Sequence, residues 1–253
     1  MNKLKIHQFL FTFKDSKIIF YFIALISTFF LLGLIDYRLG SYKDESFWGN
    51  VLVEAHGMLM DIFLLGLIVT IFEVLRADKE KIERYKEEID DYRGWIEAEA
   101  MHRILGNIKR LNRLGVSKID LHACNLQGAY YASANLEEAR MWHIVMNNAI
   151  FWYANLKKAS LFKAQLKGAD LKGANLTSAF LVEANFEGAK LEGVTLDNAI
   201  VSEVDWIEKL ASLSVKGIEE IKEKYFIDPK GFDNIKLDDK VVVYKCYFLK
   251  RKN

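Results

Sequence analysis

The chain has one proline, Pro229, and only two cysteines, Cys124 and Cys246, among 253 residues. Two thiols exclude a disulfide framework and a four-cysteine zinc site within one chain, and they fit a reducing compartment. With so little proline and no Ser/Gly-rich tract, no disordered linker marks a domain boundary, so boundaries have to be read from changes of period. A formal net charge of +1 leaves no global electrostatic case for a nucleic-acid partner. No Walker loop, G-x-S-x-G elbow or H-E-x-x-H motif occurs, and the expectation is a protein that is not an enzyme and binds no metal or cofactor.

Long apolar runs are present. Residues 18–35, IIFYFIALISTFFLLGLI, form eighteen positions without a charge. At ~1.5 Å per residue this is roughly 27 Å, close to the thickness of a hydrocarbon core. A secretory signal is the competing reading, but no small-x-small cleavage pattern follows in DYRLGSYKDES. A second candidate span, 51–75, carries Glu54, His56, Asp61 and Glu73, and its uncharged stretch 62–72 is too short to cross alone. The expected unit is a two-helix membrane hairpin over 1–75. Lys3, Lys5, Lys14 and Lys17 precede it and Arg76, Lys79, Lys81, Arg84 and Lys86 follow, against Arg38 and Lys43 between the spans. That asymmetry places both termini in the cytoplasm, with the hairpin in a bacterial inner membrane. Glu54 and Asp61 are seven residues apart on one helical face and form a candidate intramembrane polar site. Asp61 has two readings, a group lining an ion path or helix interface and an interfacial carboxylate near the membrane surface.

Residues 76–117 are rich in helix formers and predict a helical stalk. Ile82, Tyr85, Ile89, Tyr92 and Ile96 follow the 3,4,3,4 spacing of a coiled coil, with Gly94 as a weak point. The stripe either joins copies of the chain in a short oligomeric bundle or packs on its own chain. Beyond Gly115 the period changes.

From Leu161 to Gly193 the chain reads LFKAQLKGADLKGANLTSAFLVEANFEGAKLEG. Large centres recur every fifth residue from Leu121 to Trp206, eighteen in all, eleven of them Leu, and thirteen of the positions two residues before a centre are Ala. Neither a helix nor a strand sustains that period. Small and large residues two apart point to one side of an extended segment, and the three residues between must turn the chain, so repeated turns stack the large residues inside a solenoid. Ala134-Asn135-Leu136, Ala154-Asn155-Leu156, Ala169-Asp170-Leu171, Ala174-Asn175-Leu176 and Ala184-Asn185-Phe186 resemble the A(D/N)LXX motif of the pentapeptide-repeat family. The resemblance covers roughly residues 119–206. It implies a right-handed quadrilateral β-helix with four repeats per coil, here over 118–206, followed by a small α/β cap over 207–253. Within that cap, DWIEKLASLSVKGIEEIKEKYFIDPKG reads as helical and KVVVYKCYFLK as a final strand.

Residues twenty apart then stack in columns. One face carries Trp142, Phe162, Phe180, Val182 and Ile200, an apolar patch and the candidate interaction face; its alternatives are a contact with another protein or copy and coverage by the cap. The opposite face has Tyr130, Ile150, Trp152 and Tyr153 near its first coils, where the stalk or its loop could cover them. Some members of the family resemble duplex DNA through acidic surfaces, but Lys157, Lys158, Lys163, Lys167 and Lys172 are mixed here with Glu137, Glu138, Glu183, Glu187 and Glu192, against such a role. In HAC, 122–124, Cys124 occupies an inward Ala position and His122 points out, so no Cys/His nucleophile or metal pair forms. The expected function is a membrane-anchored scaffold that presents the solenoid to the cytoplasm, with the membrane, other copies of itself and a cytoplasmic protein as partners. The alternative is a homo-oligomeric membrane channel or membrane-disrupting effector, similar in architecture to two-span proteins of antiviral defence.

Overall fold

The structure is a computed structural model that describes residues 23, 26–28, 30, 31, 33, 34, 37, 38, 47–232, 235–237, 240–242 and 245–252. The chain divides into two compact units, Met1–Glu80 and Lys81–Asn253, each described here by itself. Most of the first expected span lies outside the described residues; Ile23, Ile26, Ser27, Thr28, Phe30, Leu31, Gly33 and Leu34 within it are helical.

In the first unit the main element is the beginning of helix α1, Phe47–Asp91. Its Gly57–Asp91 portion holds an eighteen-residue window of mean hydropathy 2.3, none of it buried, so one described helix is long and apolar enough to cross a membrane. Met58, Ile62, Leu65 and Phe72 are bare, and Glu54 and Asp61 are exposed on the same helix.

The second unit begins with the last turns of α1. Helix α1 stops at Asp91, and Gly94 turns the chain with a φ of 78° before helix α2, Ala98–Arg113. The continuous stalk expected over 76–117 is thus two helices, because the residue without a Cβ takes the left-handed conformation that a helix cannot continue through. Ile89 is buried in one cluster with Ile104, Ile108, Leu111, Ile119 and Leu121, and Ile82, Tyr85 and Tyr92 pack against it. The heptad stripe is occupied by its own chain, and Ile96, its last member, is exposed on the loop.

A β-helical region follows. Parallel bridges join Asp120 to Arg140, Asn125 to Val145, Tyr130 to Ile150 and Asn135 to Asn155, and repeat up to Phe180 with Ile200. Pairing at a distance of twenty with units of five means four units in each coil. Most units close a β-turn in which the centre's carbonyl accepts an N–H three residues on, as from Ala169 N to Leu166 O at 3.0 Å. The third residue of the unit is left-handed in all sixteen units from Ala123 to Asn198, and eleven of the sixteen are not glycine. An L-residue there costs about 1–2 kcal/mol. The ladder offsets it, since the same N–H groups donate to the next coil, as from Ala123 N to Trp142 O at 2.7 Å. The centres and the Ala positions are buried, apart from the partly buried Tyr131 and Ala184.

The C-terminal segment departs from the expected helix and single strand. Trp206 is the eighteenth centre, stacked edge-on to Phe186 at 5.9 Å, and it also opens helix α3, Trp206–Ser212. The chain then rejoins the ladder: Lys216 N donates to Ala189 O and Leu191 N to Lys216 O, both at 2.9 Å. Lys216 thus pairs with Lys190 at a distance of twenty-six, because α3 is inserted. Gly217 follows with φ 86°, where a Cβ would lie 2.7 Å from the Glu192 nitrogen, and helix α4, Ile218–Lys224, begins. Numbering strands in chain order, β1 (Ile200–Val201) pairs antiparallel with β5 (Tyr247–Arg251), whose other side takes β2 (Tyr225–Ile227). Strands β3 (Ile235–Leu237) and β4 (Lys240–Val242) form a separate hairpin. KVVVYKCYFLK is therefore two strands with different partners.

Candidate functional site

The expected interaction face is largely covered. Val182 is fully buried, and with Phe180 and Cys246 it forms a small core against which Phe162, Ile200 and Phe232 pack. An antiparallel bridge between Phe232 and Cys246 holds this segment over the face, and the Phe162 and Phe180 rings meet at 6.0 Å. The apolar column is the seat of the chain's own C-terminal segment. Trp142 lies lower on that face, half-buried, with the Arg140 guanidinium 4.8 Å from its ring and its indole N–H donated to Ser160.

The opposite face is the open one. Tyr130, Trp152 and Tyr153 are 54%, 36% and 62% exposed, contrary to the expectation that the stalk or its loop covers them. Tyr130 meets Trp152 edge-on at 6.0 Å. Tyr153 fits over Gly173, twenty residues on, where a Cβ would lie 2.4 Å from its ring. Asp170 is almost buried beneath them and takes a bond from Lys190 Nζ at 2.8 Å. Burial pushes the Asp170 carboxyl up, but hydrogen bonds from Lys190, Trp152 and the Lys172 amide outweigh it and hold the group below its ordinary value. It therefore stays charged at neutral pH and fixes the indole. The outward residues of the first two coils on this face, Tyr130, Ala132, Ser133, Ile150, Trp152 and Tyr153, include no charge. They make a rigid aromatic platform, suited to burying apolar surface of another protein.

Charges elsewhere on the solenoid are paired along columns. Lys157 meets Glu137 at 3.6 Å, Lys158 meets Glu138 at 3.3 Å, Lys163 meets Glu183 at 3.5 Å and Lys167 meets Glu187 at 2.7 Å. Such ladders leave neither an acidic nor a basic rod. Cys124 is buried, and burial pushes its thiol up to about 12, so it is a core residue and no nucleophile. No group of three or more His, Cys, Asp or Glu able to hold a metal occurs among the described residues. Glu54 and Asp61 lie on α1, away in sequence from all of these.

Two residues that the five-residue pattern does not point to close the first coil. In later coils, outward carbonyls accept an N–H from the coil before, as Arg140 O does from Leu121 N at 2.7 Å. The first coil has no predecessor. Asn112 of α2 takes that place: its Nδ2 donates to Asn135 O at 2.8 Å and to Val116 O at 3.0 Å. Its Oδ1 accepts from Asn135 N at 2.9 Å and from the Tyr131 hydroxyl at 3.0 Å. Arg93, in the α1–α2 turn, donates to the carbonyls of Asp120 and His122. Neither residue stands at a spacing that the five-residue pattern marks.

A family model described as Pentapeptide repeats matches residues 144–177 and 169–205, in eight copies. Among solved structures, a pentapeptide repeat protein from the thylakoid lumen of Arabidopsis thaliana is 21% identical, with a TM-score of 0.33, over 37% of this chain and 75% of its own. A pentapeptide repeat protein from the cyanobacterium Cyanothece 51142 is 29% identical at a TM-score of 0.19, over 32% of this chain and 58% of its own. One from Nostoc Pcc 7120 is 23% identical at 0.27, over 44% and 93%. Comparison with curated protein sequences gives no match.

Proposed function

We propose that this chain, which carries a pentapeptide-repeat region and is not an enzyme, is a membrane-anchored scaffold presenting that region for contact with another protein. The observation that carries the reading is α1: a bare apolar helix, mean hydropathy 2.3 in its best window, that runs on into the helical turns packed beside the repeats. A bare helix of this composition loses heavily in water, about 25 cal/mol per Å² of apolar surface, and lipid removes that cost. The finer arrangement we propose is a two-span hairpin in a bacterial inner membrane, both termini cytoplasmic, with the repeats as a right-handed quadrilateral solenoid. The lysine and arginine asymmetry supports the orientation, and the pairing period of twenty residues supports four repeats per coil. The contact surface in this reading is the Tyr130, Trp152 and Tyr153 platform, since the other apolar face is occupied by the chain itself.

A second reading, a homo-oligomeric channel, draws on Glu54 and Asp61, both exposed on α1 and seven residues apart. Vesicles reconstituted with the full-length protein and loaded with potassium separate the two. The scaffold reading predicts that the gradient is held equally by the wild type and by Asp61→Asn. A leak that Asp61→Asn abolishes would favour the channel.

A further inference from the structure

We infer that one end of the α1–α2 pair, formed by residues 81–85 and 104–119, is a binding surface for anionic lipid headgroups; the inference rests on the membrane-anchored reading above. The two helices run antiparallel: Arg103 meets Glu88 at 3.6 Å, and a turn or two along both the Arg110 guanidinium lies 5.5 Å from the Tyr85 ring. Residues 81–85 therefore lie beside the C-terminal half of α2. Charge is divided between the two ends of the pair. Counting Lys and Arg against Asp and Glu, residues 86–103 hold three cations and six carboxylates. Residues 81–85 and 104–119 hold six cations, Lys81, Arg84, Lys109, Arg110, Arg113 and Lys118, and one carboxylate, Glu83. That carboxylate is met by Lys86 at 3.0 Å. From Ala100 to Ile119 no acidic residue occurs.

The neighbours do not cancel this excess. Arg76 and Lys79 before it are matched in number by Asp78 and Glu80, and Glu137 and Glu138 of the first coil meet Lys157 and Lys158. Lys118 also reaches Glu138, at a longer 3.7 Å. Lys81, Arg84, Arg110, Arg113 and Lys118 are exposed. Arg84 and Arg110 both lie 5.5 Å from the centre of the Tyr85 ring, which fixes two guanidinium groups at this end. Arg110 donates one N–H to Asn107 Oδ1 at 2.7 Å, and a guanidinium has five. The occupant follows from the tether. Leu75 closes the expected second span and Lys81 follows six residues later, so by any path the surface begins within about 20 Å of that residue. A cluster of about four to eight cations next to a span is drawn to acidic headgroups, and the tether keeps their local concentration high. A soluble polyanion such as RNA has no such advantage. The acidic end of the pair is repelled by the same headgroups, so binding selects an orientation as well as a distance.

The test is energy transfer in vesicles. Full-length protein with Ser117→Cys carries a fluorescent donor at that position, the buried Cys124 and Cys246 giving a low background, and a few headgroups carry the acceptor. In about 0.1 M salt, transfer should be about twofold stronger with roughly 30% phosphatidylglycerol than in phosphatidylcholine alone, and about 1 M salt should remove the difference. Lys81→Gln, Arg113→Gln and Lys118→Gln together lower the excess from five charges to two; they should remove most of the difference without changing the melting temperature. Equal transfer in the two lipids, or a difference that the triple variant keeps in full, would overturn the inference. So would transfer that ignores the lipid but changes on addition of single-stranded RNA, which would assign the surface to nucleic acid. Failure of the anchoring reading looks different: the chain would not float with phosphatidylcholine vesicles in about 1 M salt. In that case flotation with anionic vesicles in about 0.1 M salt, lost in the triple variant, still supports the surface, and its absence overturns it.

Discussion

Val182→Asp is expected to release the C-terminal segment from the solenoid and to destabilise the second unit by about 3–5 kcal/mol, the range for a buried charge without a partner. Val182 is fully buried between Phe180 and Cys246, with the apolar side chains of Phe162, Ile200 and Phe232 around them; Lys163 Nζ, over the Phe162 ring at 5.0 Å, is already paired with Glu183 at 3.5 Å. The carboxylate must either be desolvated there or push the segment off. The second route exposes Cys246, which is 0% exposed in the intact fold. Two readouts therefore move together: the melting temperature falls, and one thiol per chain becomes reactive toward a water-soluble reagent. Val204→Asp is the control, because that side chain is exposed and the change should stay within about 0.5 kcal/mol. An unreactive Cys246 with unchanged melting would mean that the face is open after all, and that Trp142 and Phe162 are available to a partner.

Asn112→Ala should cost about 3 kcal/mol. The side chain makes four hydrogen bonds, two donated and two accepted, and its loss strands groups at the edge of the first coil. Each such bond contributes about 1 kcal/mol net and more where the partner is left unsatisfied. The pattern of rescue is more telling than the magnitude. Asp has the same shape and keeps the two accepted bonds, but it turns an oxygen toward the carbonyls of Val116 and Asn135. Asn112→Asp should therefore melt no higher than Asn112→Ala in a thermal unfolding series, whereas a side chain that merely filled space would be rescued by Asp.

The interior of the solenoid was legible because it is a repeated local rule. An inward Ala two residues before an inward Leu, Met or Phe specifies the unit, and the predicted centres from Leu121 to Trp206 are buried, with Tyr131 partly so. The ends were not legible, because capping a coil requires no period. Arg93 and Asn112 act through a guanidinium and an amide aimed at backbone groups, and nothing in their spacing marks them. The C-terminal segment hid a further ladder strand for a related reason: α3 displaces the register, and Lys216 pairs twenty-six residues from Lys190. The heptad stripe of α1 reads equally well as a seam between chains or within one. Only the position of Ile89 in the core with Ile104 and Ile119 decides that it faces its own chain. The apolar column through Phe162, Val182 and Ile200 was visible as a column, but a sequence does not say what lies opposite an apolar face. Here it is Phe232 and Cys246.

Membrane anchoring through α1 is the centre of the functional reading, and cysteine accessibility in sealed inside-out vesicles tests it directly. Single cysteines are placed at Asp61, Leu65 and Lys86 in the full-length chain and exposed to a membrane-impermeant maleimide; the native Cys124 and Cys246 are buried and give a low background. Lipid embedding predicts rapid labelling at 86 and none at 61 or 65 until detergent is added. Labelling at 65 as fast as at 86 in intact vesicles would contradict it, because α1 would then stand in water along its whole length.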